Sequence, residues 1–206
     1  MLKHNGMQHQ WKAGEKLEIA TFIFRMILAL LFISSSVSKI KNSTTHASIV
    51  KDYKILPERS VRFFAVLDTY SELLIGLLLI FGLYDSWAAL AGSGLLLLYS
   101  VAIVVNLLRG RREISCGCGG IVGNHNLSWV LVSRNVLLIA MCLWVYQIPT
   151  TYGNLSWAFE TGNFRTVYGE EYWTLMIIAL LSTLVIVIGQ HLGSIRKKVH
   201  ELVAEK

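Results

Sequence analysis

The chain has 206 residues, 54% of them hydrophobic and 16% charged, with a formal net charge of +6 and a mean hydropathy of +0.53. Soluble domains carry about 25% charge, and the deficit here is concentrated in apolar blocks near the length that crosses a bilayer, roughly 20 residues. This excludes a soluble domain of any size. In a chain so apolar the basic excess reads as membrane topology, not as a nucleic-acid surface.

Taken in order, a polar tail over 1–16 precedes the first apolar block, 17–37. No small-residue cleavage site follows that block, so it reads as a retained helix and not as a removed signal peptide. The next segment, 44–57 within "THASIVKDYKILPERS", places Ile49, Val50, Tyr53 and Leu56 on one side of a short helix and Lys51, Asp52 and Lys54 on the other. That pattern fits an amphipathic helix lying at the interface, with an ordinary basic connector as the plainer alternative. Leu56-Pro57 closes it, because the residue before a proline avoids helical angles. Further apolar blocks follow at 61–81, 86–108, 128–148 and 173–191.

In lipid a lone span must satisfy its own backbone hydrogen bonds, so each block is expected to be a helix. The expected fold class is therefore all-α: a polytopic membrane helix bundle, with a four-helix core over 17–148 and a fifth transmembrane helix within 149–206. The loop 109–127 joins the third and fourth spans. The loop 149–172 is aromatic and mildly acidic (Trp157, Phe159, Phe164, Glu170, Glu171) and offers a docking surface on the opposite face. No internal repeat or low-complexity tract occurs.

Sorted by loop, 13 of the 19 Lys and Arg fall in the segment between spans one and two, the loop 109–127 and the C-terminal tail. Four fall on the other side, and Arg25 and Arg134 lie within spans. The positive-inside rule puts the larger group in the cytoplasm and the N-terminus outside. An amphipathic segment over 44–57 and the loop 109–127 then share one face, where the first can cover the second.

Four ionisable residues fall well inside the spans: Arg25, Asp68, Glu72 and Arg134. Each costs a few kcal/mol unless paired or wet, so they should face the bundle interior. By helical rise Arg25 and Glu72 lie roughly 12 and 14 Å from one face, and Asp68 and Arg134 roughly 10 and 9 Å from the other. The expectation is that Glu72 pairs with Arg25 and Asp68 with Arg134. Such pairs often only fix helix register; the functional alternative is a proton path or a pocket for a quinone-like head group.

The motif with the most chemistry is "ISCGCGG", 114–120. Cys116 and Cys118 are two of only three cysteines in the chain. Three readings stay open. Two thiols one residue apart can close a small disulfide, strained by its short link and permitted by the backbone freedom of Gly117. Such a bond suits exchange more than structural support, and Arg109, Arg111 and Arg112 nearby favour the attacking thiolate. Alternatively, the two thiolates with His125 and Met141 or Cys142 form a soft-metal site, although structural zinc commonly uses a wider cysteine spacing. The plainest reading is a pair of small residues in a glycine turn. Cys142, deep in the fourth span, reads as a packing residue.

The order of short marks resembles a known family. A first helix ending in "SKIKN", a short helix ending "YKILP", "ELLIG" in the second span, "LLRGRREISCGCGG" after the third and "LSWVLVSRN" opening the fourth look like the MauE-type proteins of the MauE/DoxX group of redox-associated membrane proteins. The resemblance covers roughly 20–148, with the fifth helix included as an expectation. The family element commonly reads Cys-Gly-Cys-Phe-Gly, and Gly119 here replaces the aromatic. The resemblance implies an integral protein of the bacterial inner membrane, with Cys116 and Cys118 as its exchanging pair. It implies help in maturing an exported disulfide-rich protein, the small subunit of a methylamine dehydrogenase type, together with a thioredoxin-like (MauD-like) partner. An exported client favours cysteines outside, against the charge count. No residue pattern fixes a metal or a cofactor, and nothing resembles a nucleotide-binding loop. A quinone enters as an electron sink only by fold-level analogy with other four-helix membrane thiol oxidases. The competing classes are a non-catalytic membrane assembly or export factor and a small metal or solute carrier.

Overall fold

Eight helices and no strand longer than an isolated bridge occur among the described residues of the computed structural model. Those residues are 2–117 and 126–204, with side chains described over 14–117, 126–165, 167–185 and 188–189. Cys118, Gly119 and His125 lie outside them. The helices are α1 (Leu2–Lys41), α2 (Ser43–Asp52), α3 (Glu58–Phe81), α4 (Asp85–Leu108), α5 (Trp129–Gln147), α6 (Leu155–Thr161), α7 (Phe164–Val167) and α8 (Glu170–Ala204).

Four of them are long and apolar enough to cross a membrane: Gly14–Lys41 within α1, then α3, α4 and α5. The block expected as a fifth span, 173–191, lies inside α8. Large apolar side chains face outward along the bundle, among them Phe63 at 66% exposure, Leu98 at 67% and Val130 at 74%. So much contiguous apolar surface would be a liability in water and is what a lipid-facing wall requires. The molecule is an all-α polytopic membrane bundle.

Helix α1 is longer than its apolar block. It runs from the polar tail through "SKIK" to Lys41, with Lys39 and Lys41 in its last turn, where the negative end of the helix dipole favours cations. Pro57 then sits at the N-cap of α3 with extended angles, φ −64° and ψ 142°, where its missing N–H costs nothing. Between α3 and α4 the chain turns in three residues. Gly82 takes the left-handed conformation (φ +63°), and Leu83 N–H donates to Leu78 O at 2.9 Å, closing the last turn of α3. This short turn makes α3 and α4 antiparallel neighbours.

The most extensive interfaces are α4 with α5 and α1 with α3, and α1 also reaches α5 and α8. The main core, at the centre of the bundle, is built from Leu28, Phe32, Ile75, Leu79, Leu96 and Val145, with Ala88 and Ala89 allowing close approach. Cys142 is a free thiol in that same core, fully buried.

Candidate functional site

The sequence places ionisable groups on four different elements, and the fold brings them to one end of the bundle. Asp68 and Glu72, one turn apart on α3, point to the same side. Lys39 reaches them from the end of α1, its Nζ 2.7 Å from Asp68 Oδ2 and 2.9 Å from Glu72 Oε1. From α4, the Tyr99 hydroxyl donates to Glu72 Oε1 at 2.8 Å and also contacts Asp68 Oδ1. From α2, His46 Nε2 lies 3.1 Å from Asp68 Oδ2. Lys39 and Glu72 side chains are 4% and 3% exposed, so these charges are withdrawn from water and must answer one another. One ammonium thus serves two carboxylates, and the His46 imidazole lies against the first of them.

The cysteine loop lies against this cluster. Its base is pinned by the Ser115–Asn126 bridge and by Leu127 N–H donating to Ile114 O at 3.0 Å. Cys116 is disulfide-bonded. Gly117 adopts φ +72°, a left-handed conformation that favours glycine. A Cβ there would stand 3.0 Å from Ile49 Cγ2 and 3.8 Å from His46 Nδ1, so α2 is laid directly over the loop. The Tyr53 hydroxyl, just past the end of α2, donates to Cys116 O at 3.3 Å, and burial pushes its phenol up to about 12.

Between these parts is a cavity of about 390 Å³, within the range of small-molecule sites. Cys116 and Ile49 border it on one side, Leu98 on another, and His46, Asp68 and Tyr99 supply its polar end. A second, water-sized cavity of about 50 Å³ lies deeper, bordered by Glu72, Tyr99, Asn135 and Arg134. Glu72 Oε2 has no hydrogen-bond partner within the protein.

The charge pairing expected from depth is corrected by these distances. Arg25 does not pair with Glu72. Its Nη1 is 3.3 Å from Asp85 Oδ2, and its Nη2 donates to Tyr152 O and Gly153 O, both at 2.9 Å. Asp68 pairs with Lys39 and His46 and not with Arg134, which borders the smaller cavity. The reason is helix length. Lys39, which a span ending at 37 leaves in the following loop, is still helical and turns its long side chain back into the bundle. Asp85 opens α4 at the turn and so escapes a search of the spans.

Arg25 and Lys39 are about 21 Å apart by helical rise, so Arg25 belongs to the other end of the bundle. There it clasps the 149–169 segment: Asn154 Nδ2 donates to Asp85 Oδ2 at 3.3 Å, and Tyr84 N–H donates to Ser156 Oγ at 3.1 Å. Of the arginines before the cysteines, Arg109 and Arg112 are exposed and Arg111 donates to Asn106 Oδ1 at 3.3 Å. None of the three borders the larger cavity. Within the suggested metal set, Cys142 sits in the main core while Cys118 and His125 lie outside the described residues.

Sequence reading missed Lys39, His46, Tyr99 and Asp85. For His46 a signal existed: it shares the 46, 49, 50, 53 stripe with Ile49, Val50 and Tyr53, an ionisable ring on the apolar face of a short helix.

Fold and site together define a polytopic helical membrane protein that carries a cysteine loop over a buried cluster of ionisable side chains. The family model of methylamine utilisation protein MauE matches residues 17–147. The chain belongs to that family. It is similar to methylamine utilization protein MauE of Paracoccus denitrificans, 34% identical over 119 residues that cover 58% of this chain and 64% of that protein. The protein of the same name from Methylorubrum extorquens is 34% identical over 117 residues, covering 57% and 62%. That from Methylophilus methylotrophus is 30% identical over 132 residues, covering 64% and 70%. The chain thus spans a little under two thirds of the length of the first two relatives. The family match ends with α5 and leaves α8 outside it. No solved structure matches the chain.

Proposed function

We propose that this protein is a thiol–disulfide redox component of a bacterial cytoplasmic membrane, acting in methylamine utilisation through Cys116 and Cys118. The pair exchanges with the dithiol of a thioredoxin-like, MauD-like partner and so aids maturation of an exported disulfide-rich protein, of the methylamine dehydrogenase small-subunit type. One observation carries the reading: the disulfide-bonded Cys116 borders a sizeable cavity that buried, ionisable side chains also line. A disulfide that only staples a loop needs neither the cavity nor the cluster. The charge count supports a cytoplasmic cysteine loop and an external N-terminus, a placement that suits passage of reducing equivalents across the membrane, whereas direct exchange with an exported partner needs the loop outside.

A quinone fits the residues present. The wall, including Leu98 and Ile49, is largely apolar, and His46 Nδ1 is a buried polar atom there without a partner in the protein; the N–H groups of Lys39 and the Tyr99 hydroxyl are already committed to Asp68, Glu72 and each other. Such a group, when bound, would accept the two electrons released as a dithiol closes. The residues named here would orient its polar end and keep bulk water away.

The test replaces both cysteines by serine in cells and follows disulfide formation in the client by gel shift after thiol trapping. Loss of client disulfides, with the membrane protein still at normal abundance, is the expected result. Full client maturation by the double variant overturns the reading and leaves a non-catalytic assembly factor. Labelling of the reduced pair in intact cells with a membrane-impermeant maleimide tests sidedness, with protection expected.

A further inference from the structure

His46 has a second ring nitrogen that the cluster leaves unpaired. Its Nε2 is held by Asp68 Oδ2 at 3.1 Å, while Nδ1 is buried and has no partner within the protein. The side chain is 9% exposed. A Cβ added at Gly117, beside Cys116, would lie 3.8 Å from this Nδ1. A buried imidazole nitrogen without a partner is costly, and evolution of a packed site normally removes it unless something meets it. Here what it faces is the cysteine loop.

We infer that His46 is the proton partner of the Cys116–Cys118 pair, with Asp68 as the positioning residue that fixes the ring and compensates its charge. This rests on the exchange reading given above. An incoming thiolate of a partner dithiol attacks one sulfur of the disulfide; the sulfur–sulfur bond breaks, a mixed disulfide forms, and the leaving thiolate takes the proton from His46. The partner's second thiol then attacks the mixed disulfide and gives up its own proton as the second loop sulfur is released. In sum the partner's two thiols become a disulfide and the loop gains two electrons and two protons: one proton comes from the second thiol and one from His46, which is reprotonated by the proton the first thiol lost on forming its thiolate. In the reverse direction His46 accepts the proton. The carboxylate–imidazole–sulfur order is one that chemistry uses wherever a thiolate must be formed and reprotonated near neutral pH.

Other groups around the ring agree with this role. Asp68 meets it from α3, Lys39 from α1 and Tyr99 from α4 hold that carboxylate, and Tyr53, past the end of α2, borders the same cavity. Tyr53 is engaged with the Cys116 carbonyl, and Lys39 is shared between two carboxylates. His46 is therefore the group in this cluster that lies against the loop with a nitrogen to spare.

The test uses the full chain in nanodiscs, mildly reduced, with Cys118→Ser to isolate one thiol. Peptide-resolved mass spectrometry follows alkylation of Cys116 by iodoacetamide across about pH 5 to 9. His46→Gln should slow alkylation at neutral pH about tenfold, the effect of one pH unit on thiolate fraction. Asp68→Asn should displace the profile, and Asp68→Glu should restore most of it; a merely structural loss would not follow that order. Buried Cys142 reports in the same digest whether the bundle is intact. A His46→Gln profile identical to wild type, with Cys142 still protected, overturns the inference and leaves the exchange reading standing. If His46→Gln exposes Cys142, Asp68→Asn decides, and an unmoved profile there overturns it. A wild-type disulfide that no dithiol reduces overturns both.

Discussion

Lys39 is the buried cation on which the cluster's stability turns. Its Nζ serves two carboxylates, at 2.7 and 2.9 Å, with 4% of its side chain exposed. Lys39→Met keeps the apolar stem and removes the charge, leaving Asp68 and Glu72 one turn apart with no ammonium between them. Removing one partner of a buried pair costs about 3–5 kcal/mol, most of it from the uncompensated charge left behind. Glu72→Gln alone should be much milder, about 1 kcal/mol or less, since Lys39 keeps Asp68 and the glutamine can still accept from Tyr99. The double variant should then be more stable than Lys39→Met by about 2 kcal/mol, the signature of direct coupling. Reversible unfolding in mixed micelles, followed by Trp fluorescence, gives the three values. If the two substitutions add, or if Lys39→Met lies within about 0.5 kcal/mol of wild type, the cluster is not held as described.

At the opposite end Arg25→Met should free the 149–169 segment, measured as faster amide exchange over 150–158, because Arg25 donates to Tyr152 O and Gly153 O and pairs with Asp85. Glu72→Arg should not rescue Arg25→Glu. Gly82→Ala should cost more than about 2 kcal/mol, since its Cβ would stand 2.4 Å from Gly153 O at φ +63°; Gly162→Ala, at φ +69° with open space around it, should cost about 1 kcal/mol. Equal melting temperatures for the two would refute the packing argument. Tyr53 sets a pH dependence: its phenol is raised from 10.0 to about 12 by burial, so its contribution to stability is whole below the unfolded value and is lost as pH rises through the folded one. Tyr53→Phe should flatten the stability profile in that alkaline window.

How far the sequence carries can be judged from particular residues. The spans were legible because lipid demands long apolar runs, and the 61–81 and 86–108 blocks come within three residues of α3 and α4 at each end. The stripe of His46, Ile49, Val50 and Tyr53 was legible for the same reason, as a pattern of side chains, but the helix expected over 44–57 ends at Asp52, with Lys54 at φ +48°, so Leu56 lies beyond it. Partners were not. Depth along a helix fixes how far a charge lies from a face and says nothing of its azimuth, so Arg25 and Glu72 looked matched although each is satisfied elsewhere. Lys39 was hidden by a boundary error of one helical turn, which is all that separates a loop lysine from a buried one. Asp85 was hidden because its partner's other ligands are backbone carbonyls, which leave no mark in a sequence.

The two ends of α1 handle buried charge differently, and the difference bears on what each end can do. Arg25 is answered by one carboxylate and two carbonyl oxygens. Carbonyls do not titrate near neutral pH, so that end holds a fixed charge in a fixed geometry and serves as a clasp. Lys39 is answered by two carboxylates that also share a phenol and an imidazole. The acceptors there are ionisable side chains and not backbone carbonyls. Such an arrangement is poor as a mere clasp, because its energy depends on protonation. It is well suited to stand beside a disulfide, whose reduction must find two protons within a wall that excludes water. The end built of ionisable side chains is also the end that carries Cys116. A fold needing only register could have used the Arg25 solution twice.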